Sequence, residues 1–177
     1  MEPEFAQDHF ALFGLERRFA LDGGALESRY RDLQARVHPD KHAHLGAVER
    51  RLSMQWATRV NEAYQTLRQP LKRARYLLEV AGVDPQVEHN TAMPTDFLMR
   101  QMEWREAVDE ARDGSDAHEL ERLHNRLKRD MAGQYGVLGD ALDAARDYHR
   151  AADMVRQLMF QERLLAEIDS AIERLEA

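Results

Sequence analysis

The chain predicts an all-α protein built as two helical units, and three observations carry that expectation. Glycine and proline are scarce, 9 and 5 in 177 residues, so few positions break a helix. Ala, Leu, Glu, Arg and Gln dominate, which favours helix and gives strands little support. Apolar residues recur every three or four positions in stretch after stretch, the signature of amphipathic helices.

The elements follow in order. A short apolar-rich segment, Phe10 to Leu15, opens the structured part, and Leu21-Asp22-Gly23-Gly24 reads as a turn. Ala25 to Val37 is helical, with Leu26, Tyr30, Leu33 and Val37 in one stripe. Pro39 has no N–H to give and disfavours helix at His38, so this helix stops there. A second helix spans about Glu49 to Leu67, with Leu52, Trp56, Val60, Ala63 and Leu67 on its inner face. Pro70 suits the first position of a short helix running to Val80, which Gly82 closes.

Residues 84–94 hold two prolines, an Asn and a Thr without an apolar stripe, and read as a linker. Three more helices are expected, Thr95 to Arg112, Asp116 to about Tyr135, and about Leu138 to Leu175. Gly114-Ser115 and the stretch Gly133 to Gly139 are the expected breaks, and Asp116 is a natural N-cap. Short connections between long helices give antiparallel neighbours, hence a three-helix bundle. The expected units are therefore 1–83 and 95–177.

Composition narrows the function. The absence of cysteine excludes disulfides, thiolate metal sites and a cysteine nucleophile. No apolar run approaches the roughly 20 residues that cross a bilayer. The acidic start Met1-Glu2-Pro3-Glu4 is unlike the basic start of a secretory signal, so a cytoplasmic protein is expected. Through Val83 there are 13 Lys/Arg against 11 Asp/Glu, net +2; from Asp84 there are 12 against 21, net −9. An acidic second half repels phosphate backbones and argues against nucleic acid. Opposite signs in the two halves suit two surfaces meeting two different proteins.

The most specific local feature is His38-Pro39-Asp40-Lys41, directly after a helix. Pro39 fixes the backbone and holds His38 and Asp40 out from the helix end. Asp40 is an acceptor-only anion able to take a bidentate Arg, and His38 both donates and accepts. Other readings of the loop are weaker. His38, His42 and His44 lack the second carboxylate cluster a metal site would use. His38 with Asp40 lacks a Ser, Cys or Thr in a nucleophile setting, so no enzyme activity is expected. Arg50-Arg51 and Lys72-Arg73-x-Arg75 read as exposed helix positions.

Tyr30-Arg31-x-Leu33 upstream, the His-Pro-Asp loop, and Asn61-Glu62-Ala63-Tyr64-x-x-Leu67 downstream together resemble the J-domain family, over about Phe10 to Val80. The resemblance implies a helical hairpin with the loop at its tip. It also implies that the loop engages a DnaK-type chaperone and stimulates its ATPase, with Arg29, Arg31, Arg36 and Lys41 guiding docking. Glu27 and Asp32 dilute that basic face, and Val37 stands where an aromatic is usual. No Gly/Phe-rich stretch follows, unlike general DnaJ proteins.

In the second half, Phe97, Gln101, Trp104, Val108 and Ala111 make the stripe a bundle would bury. Leu98, Met99 and Met102 lie off it, followed along the same side by Glu103, Glu106 and Glu110. Apolar residues edged by acids look like an interaction patch, although a broad core stripe fits the same spacing. On the last helix Val155, Leu158, Leu165, Ile168, Ile172 and Leu175 are the expected core face, which leaves Phe160 pointing elsewhere. The segments Gln69-Pro70-Leu71-x-Arg73-Ala74-x-Tyr76-Leu77-Leu78 and Phe97 to Glu106 extend the resemblance over nearly the whole chain, to the HscB-type J-domain co-chaperones of iron–sulfur cluster assembly. That resemblance implies that an IscU-like scaffold binds Leu98, Met99, Met102, Glu103, Glu106, Glu110 and Phe160. The J-domain then brings the scaffold to an HscA-like chaperone. No cofactor is implied. Service to a different client is the alternative.

Overall fold

A computed structural model describes residues 7–42, 44, 46–85 and 93–176, apart from the side chains of Pro39 and His42. Every regular element among them is helical. The helices are α1 (His9–Leu12), α2 (Gly23–Val37), α3 (Ala47–Arg68), α4 (Pro70–Val80), α5 (Thr95–Asp113), α6 (Ala117–Gly139) and α7 (Tyr148–Glu176). A 3₁₀ turn, Pro39–His42, follows α2, and a π-helical turn, Asp140–Ala145, follows α6. The chain divides into two compact units, Met1–Val80 and Ala81–Ala177. Most of the expected linker, residues 86–92, lies outside the described residues.

In the first unit α2 and α3 form a hairpin, and α1 and α4 pack on α3. The core is Phe10, Phe13, Leu26, Val60, Ala63, Leu67, Leu71, Ala74 and Leu78, each side chain contributing about 1.5–3 kcal/mol when fully buried if it is Leu, Val or Phe. α2 begins two residues before the expected start, because Asp22 accepts from the N–H groups of Gly24 (2.9 Å) and Ala25 (3.1 Å). Arg73 serves the other end of the hairpin, donating to the carbonyl of Leu67 at 2.6 Å. The His9 ring stacks on Tyr76 at 4.2 Å between ring centroids, and the His9 backbone N–H donates to the Tyr76 hydroxyl at 2.9 Å. That pair fastens α1 to α4.

Leu52 departs from expectation. It is exposed, and Ser53 is the buried residue at that turn of α3. The cause is angular: Ser53, Val60 and Leu67 repeat every seven residues along the buried face, and Leu52 lies about 100° round the helix from Ser53.

The second unit is a three-helix bundle of α5, α6 and α7. Its core takes Phe97, Val108 and Ala111 from α5, and Leu120, Leu127, Met131 and Leu138 from α6. α7 adds Val155, Leu158, Leu164, Ile168 and Ala171. Here Leu164 and Ala171 replace the expected Leu165, Ile172 and Leu175; the first two of those are half-buried and Leu175 is exposed. The buried positions step from 151 to 171 by three or four and drift slowly round the helix, a path that a few large residues did not trace.

The expected break at 133–139 is also displaced. α6 runs through Gly133 and Gly136, where a Cβ would meet nothing within 4 Å, and ends only at Gly139. A glycine in a helix costs about 1 kcal/mol, and burial of Met131 and Leu138 on either side offsets that. The chain turns instead at Arg146, whose φ of 51° is left-handed. Asp147 then caps α7 by accepting from the Arg150 N–H at 3.1 Å.

Candidate functional site

Two surfaces, one in each unit, gather the residues singled out by sequence. The first is the loop at the end of α2. His38 leaves the helix with extended backbone (ψ 127°), and its carbonyl accepts from the Lys41 N–H at 3.1 Å, closing the 3₁₀ turn. The Asp40 N–H donates to His38 Nδ1 at 3.3 Å. That bond needs an unprotonated Nδ1, so it selects the tautomer with the proton on Nε2. The Asp40 carboxylate lies 3.6 Å from the same nitrogen, and its side chain is 90% exposed against 50% for His38. The loop therefore presents an N–H donor and a solvated anion side by side, a pair suited to a partner's Arg and acceptor. The side chains of Pro39 and His42 fall outside the described residues, and with them the histidine trio.

Behind the loop the hairpin is braced by the residues that carried the J-domain resemblance. Tyr30 and Tyr64 stack with centroids 3.9 Å apart and 10° between planes. The Tyr30 hydroxyl donates to Asn61 Oδ1 at 2.8 Å, and Arg68 covers Tyr64 at 5.5 Å. Their part is to fix the hairpin, and through it the loop.

The basic residues divide. Lys41 is exposed beside Asp40. Arg29 turns back to donate to the Phe13 carbonyl at 3.4 Å, and Arg31 lies 3.7 Å from Glu27 one turn away. Arg29 and Arg36 border a cleft of about 680 Å³ with Asp32 between them, floored by Leu12, Phe13, Leu33 and Val37. Arg29 and Arg31 are thus engaged within the unit.

The second surface is on α5. Phe97, Gln101, Val108 and Ala111 are buried, and Trp104 is half-buried under the Arg126 guanidinium at 5.0 Å. At about 100° per residue, Leu98, Met99, Met102, Glu103, Glu106 and Glu110 point roughly opposite to that stripe. All six are exposed, the three apolar ones by 45%, 58% and 62%. The apolar residues sit towards the start of α5 and the acids towards its end.

Phe160 behaves differently from expectation. It is half-buried on α7, with its ring edge-on to Phe97 at 6.3 Å and Arg163 over its face at 5.8 Å. Phe97 belongs to the buried stripe of α5, so Phe160 lies at the margin of the core and is not an open member of the patch. Helical spacing sets Phe160 off the core face of α7, and the neighbouring α5 covers part of it through Phe97.

One residue near the first surface was missed. The Ser53 hydroxyl donates to the Val37 carbonyl at 2.7 Å, next to His38. Spacing gave no signal for it, since the expected stripe of α3 runs through Leu52.

Comparison with known proteins is consistent along the whole chain. The family model described as the HSCB C-terminal oligomerisation domain matches residues 93–169. The co-chaperone protein HscB homolog of Aromatoleum aromaticum is 56% identical over 176 residues, 99% of both chains. Among solved structures, chaperone HscB from Vibrio cholerae superposes with a TM-score of 0.84 at 34% identity, covering 96% of this chain and 99% of that one. The human co-chaperone protein HscB superposes with a TM-score of 0.88 at 27% identity, covering 94% and 83%. Sequence likeness of this extent, on the same two-unit helical architecture, means that the chain belongs to the HscB co-chaperone family.

Proposed function

We propose that this protein stimulates the ATPase of a DnaK-type, HscA-like chaperone and delivers an IscU-like iron–sulfur scaffold to it. Residues 1–83 act as the J-domain and residues 95–177 hold the client, joined by 84–94. His38, Pro39, Asp40 and Lys41 meet the chaperone, with Arg29, Arg31 and Arg36 at its margin. Leu98, Met99, Met102, Glu103, Glu106 and Glu110 meet the scaffold, and Phe160 supports that surface from beside Phe97.

The observation that carries this reading is the outer face of α5. Three large apolar side chains point away from a core that the same helix completes with other residues. A bundle gains nothing from Leu98, Met99 and Met102 in water, whereas an interface does. The protein itself performs no chemistry in this scheme, and its work is in the cytoplasm with two protein partners. No helix among the described residues is long and apolar enough to cross a membrane.

The test is single-turnover ATP hydrolysis by an HscA-like chaperone, with this protein and the scaffold added separately and together. Stimulation by the protein alone, increased when scaffold is present, is expected. Stimulation that the scaffold leaves unchanged, together with no pull-down of scaffold, would assign the α5 face to a different client.

A further inference from the structure

α2 ends without a left-handed cap. No glycine in left-handed conformation follows it to satisfy its last carbonyls; instead His38 is extended and Pro39 carries no N–H. The helical donor for the Val37 carbonyl would be the Lys41 N–H, and that group is taken by the His38 carbonyl at 3.1 Å. The last carbonyl before the loop is thereby orphaned within its own helix.

Ser53 meets it from the other helix. Its hydroxyl donates to the Val37 oxygen at 2.7 Å, and the residue is only 7% exposed. The two bonds inside the loop, Lys41 N–H to His38 O and Asp40 N–H to His38 Nδ1, hold its curl but do not orient it on the hairpin. Among the described hydrogen bonds, the one from Ser53 ties the root of the loop to α3.

We infer that Ser53 is a positioning residue for the His38–Asp40 loop: its hydroxyl fixes the peptide from which the loop departs and so sets the direction in which His38 and Asp40 project. The inference rests on the reading of that loop as the chaperone-contacting surface. Without the hydroxyl, the half-buried Val37 peptide loses the partner that holds its carbonyl towards α3. The loop then spends much of its time rotated to where water or another donor reaches that oxygen. Only the fraction in the original orientation can dock, so apparent affinity falls by that fraction while the docked state is unchanged.

The experiment compares full-length wild type, Ser53→Ala, Ser53→Thr and Asp40→Asn. Two readouts are used: a titration of DnaK-type ATPase stimulation, and exchange of the Lys41 amide followed by NMR. For Ser53→Ala the half-saturating concentration should rise about five- to tenfold, the effect of one hydrogen bond, with maximal stimulation retained. The Lys41 amide should exchange faster while helix amides far from the loop keep their rates. Ser53→Thr keeps a hydroxyl and should return both readouts towards wild type. A wild-type titration and unchanged Lys41 exchange in Ser53→Ala, with Asp40→Asn inactive, would overturn the inference. If Asp40→Asn stimulates as well as wild type, the reading of the loop fails, and Lys41 exchange alone decides whether Ser53 orients it.

Discussion

Tyr30 and Tyr64 lie almost parallel, ring on ring at 3.9 Å, one on each arm of the hairpin whose tip is the His38–Asp40 loop. The Tyr30 hydroxyl continues the contact to Asn61 on α3. A stack of this kind contributes about 0.5–1.5 kcal/mol beyond the area it buries. Tyr64→Ala should therefore lower stability by about 2 kcal/mol, once loss of half-buried area is included. Tyr30→Phe keeps the ring and removes one exposed hydrogen bond, so it should cost under about 1 kcal/mol. Urea unfolding of both variants measures the difference, and equal losses would show that the hydroxyl outweighs the rings.

His38→Gln and Asp40→Asn should abolish chaperone stimulation and leave the fold intact. Both side chains are solvated and neither supports the core. Single-turnover hydrolysis and a thermal melt separate the two effects. Stimulation retained by both variants would remove the loop from the mechanism.

Leu98→Ala with Met102→Ala should weaken scaffold binding far more than it lowers the melting temperature. Buried hot-spot residues cost about 2 kcal/mol each when truncated, about thirtyfold in affinity. Glu106→Ala, at the acidic end of the face, should cost less. Phe160→Ala is expected to differ from all of these: its contact with Phe97 makes it lower stability and scaffold affinity together. Titration calorimetry beside calorimetric melts checks the contrast, and a Phe160 variant with an unchanged melting temperature would put that ring back in the open patch.

Acid should loosen the first unit in two stages. Burial against α4 holds the His9 imidazole below its ordinary value of 6.5; Arg59 adds to this, while Asp8, Glu62 and Glu79 oppose it. A histidine whose folded pKa is depressed contributes stability that is complete above about pH 6.5 and is lost as pH falls through its folded value. Asp8 is also depressed. Burial pushes its carboxyl up, but the Ala11 N–H and Arg17 outweigh that, so its contribution disappears only below about pH 4. The urea midpoint of the first unit should drop between pH 7.5 and 5, and drop less in His9→Phe, which keeps the stack on Tyr76. Identical pH slopes in the two proteins would count against His9 as the source.

Gln161 is buried in the bundle with a carbonyl oxygen that has no protein partner. Gln161→Met keeps the volume and removes the orphaned acceptor, so it should raise stability by about 1 kcal/mol. A denaturation midpoint at or below that of wild type would place a bound water on that oxygen.

Much of the molecule was legible in the sequence because helical spacing reports local geometry directly. The stripes of α2, α5 and most of α3 were visible, as were the stops at His38-Pro39 and Gly114 and the cap at Asp116. What escaped depends on neighbours. At the first buried turn of α3 it is Ser53 and not Leu52 that faces α2, and Phe160 is half-buried because Phe97 lies across from it. Gly133 and Gly136 read as breakers, yet flanking leucine and methionine burial carries α6 through them. The loop chemistry was legible as a motif, while Ser53 was not, since a hydrogen bond between helices leaves no period in the chain.

The internal engagement of Arg29 with the Phe13 carbonyl and of Arg31 with Glu27 reaches beyond the hairpin. Glu27 and Asp32 on the same helix offset the charges of its arginines, so long-range steering of the encounter is weak. Association should then proceed at the unsteered rate of about 10⁵–10⁶ per molar per second, with a shallow dependence on ionic strength. In a cell holding several DnaK-type chaperones, discrimination among them would fall to how slowly the correct complex comes apart.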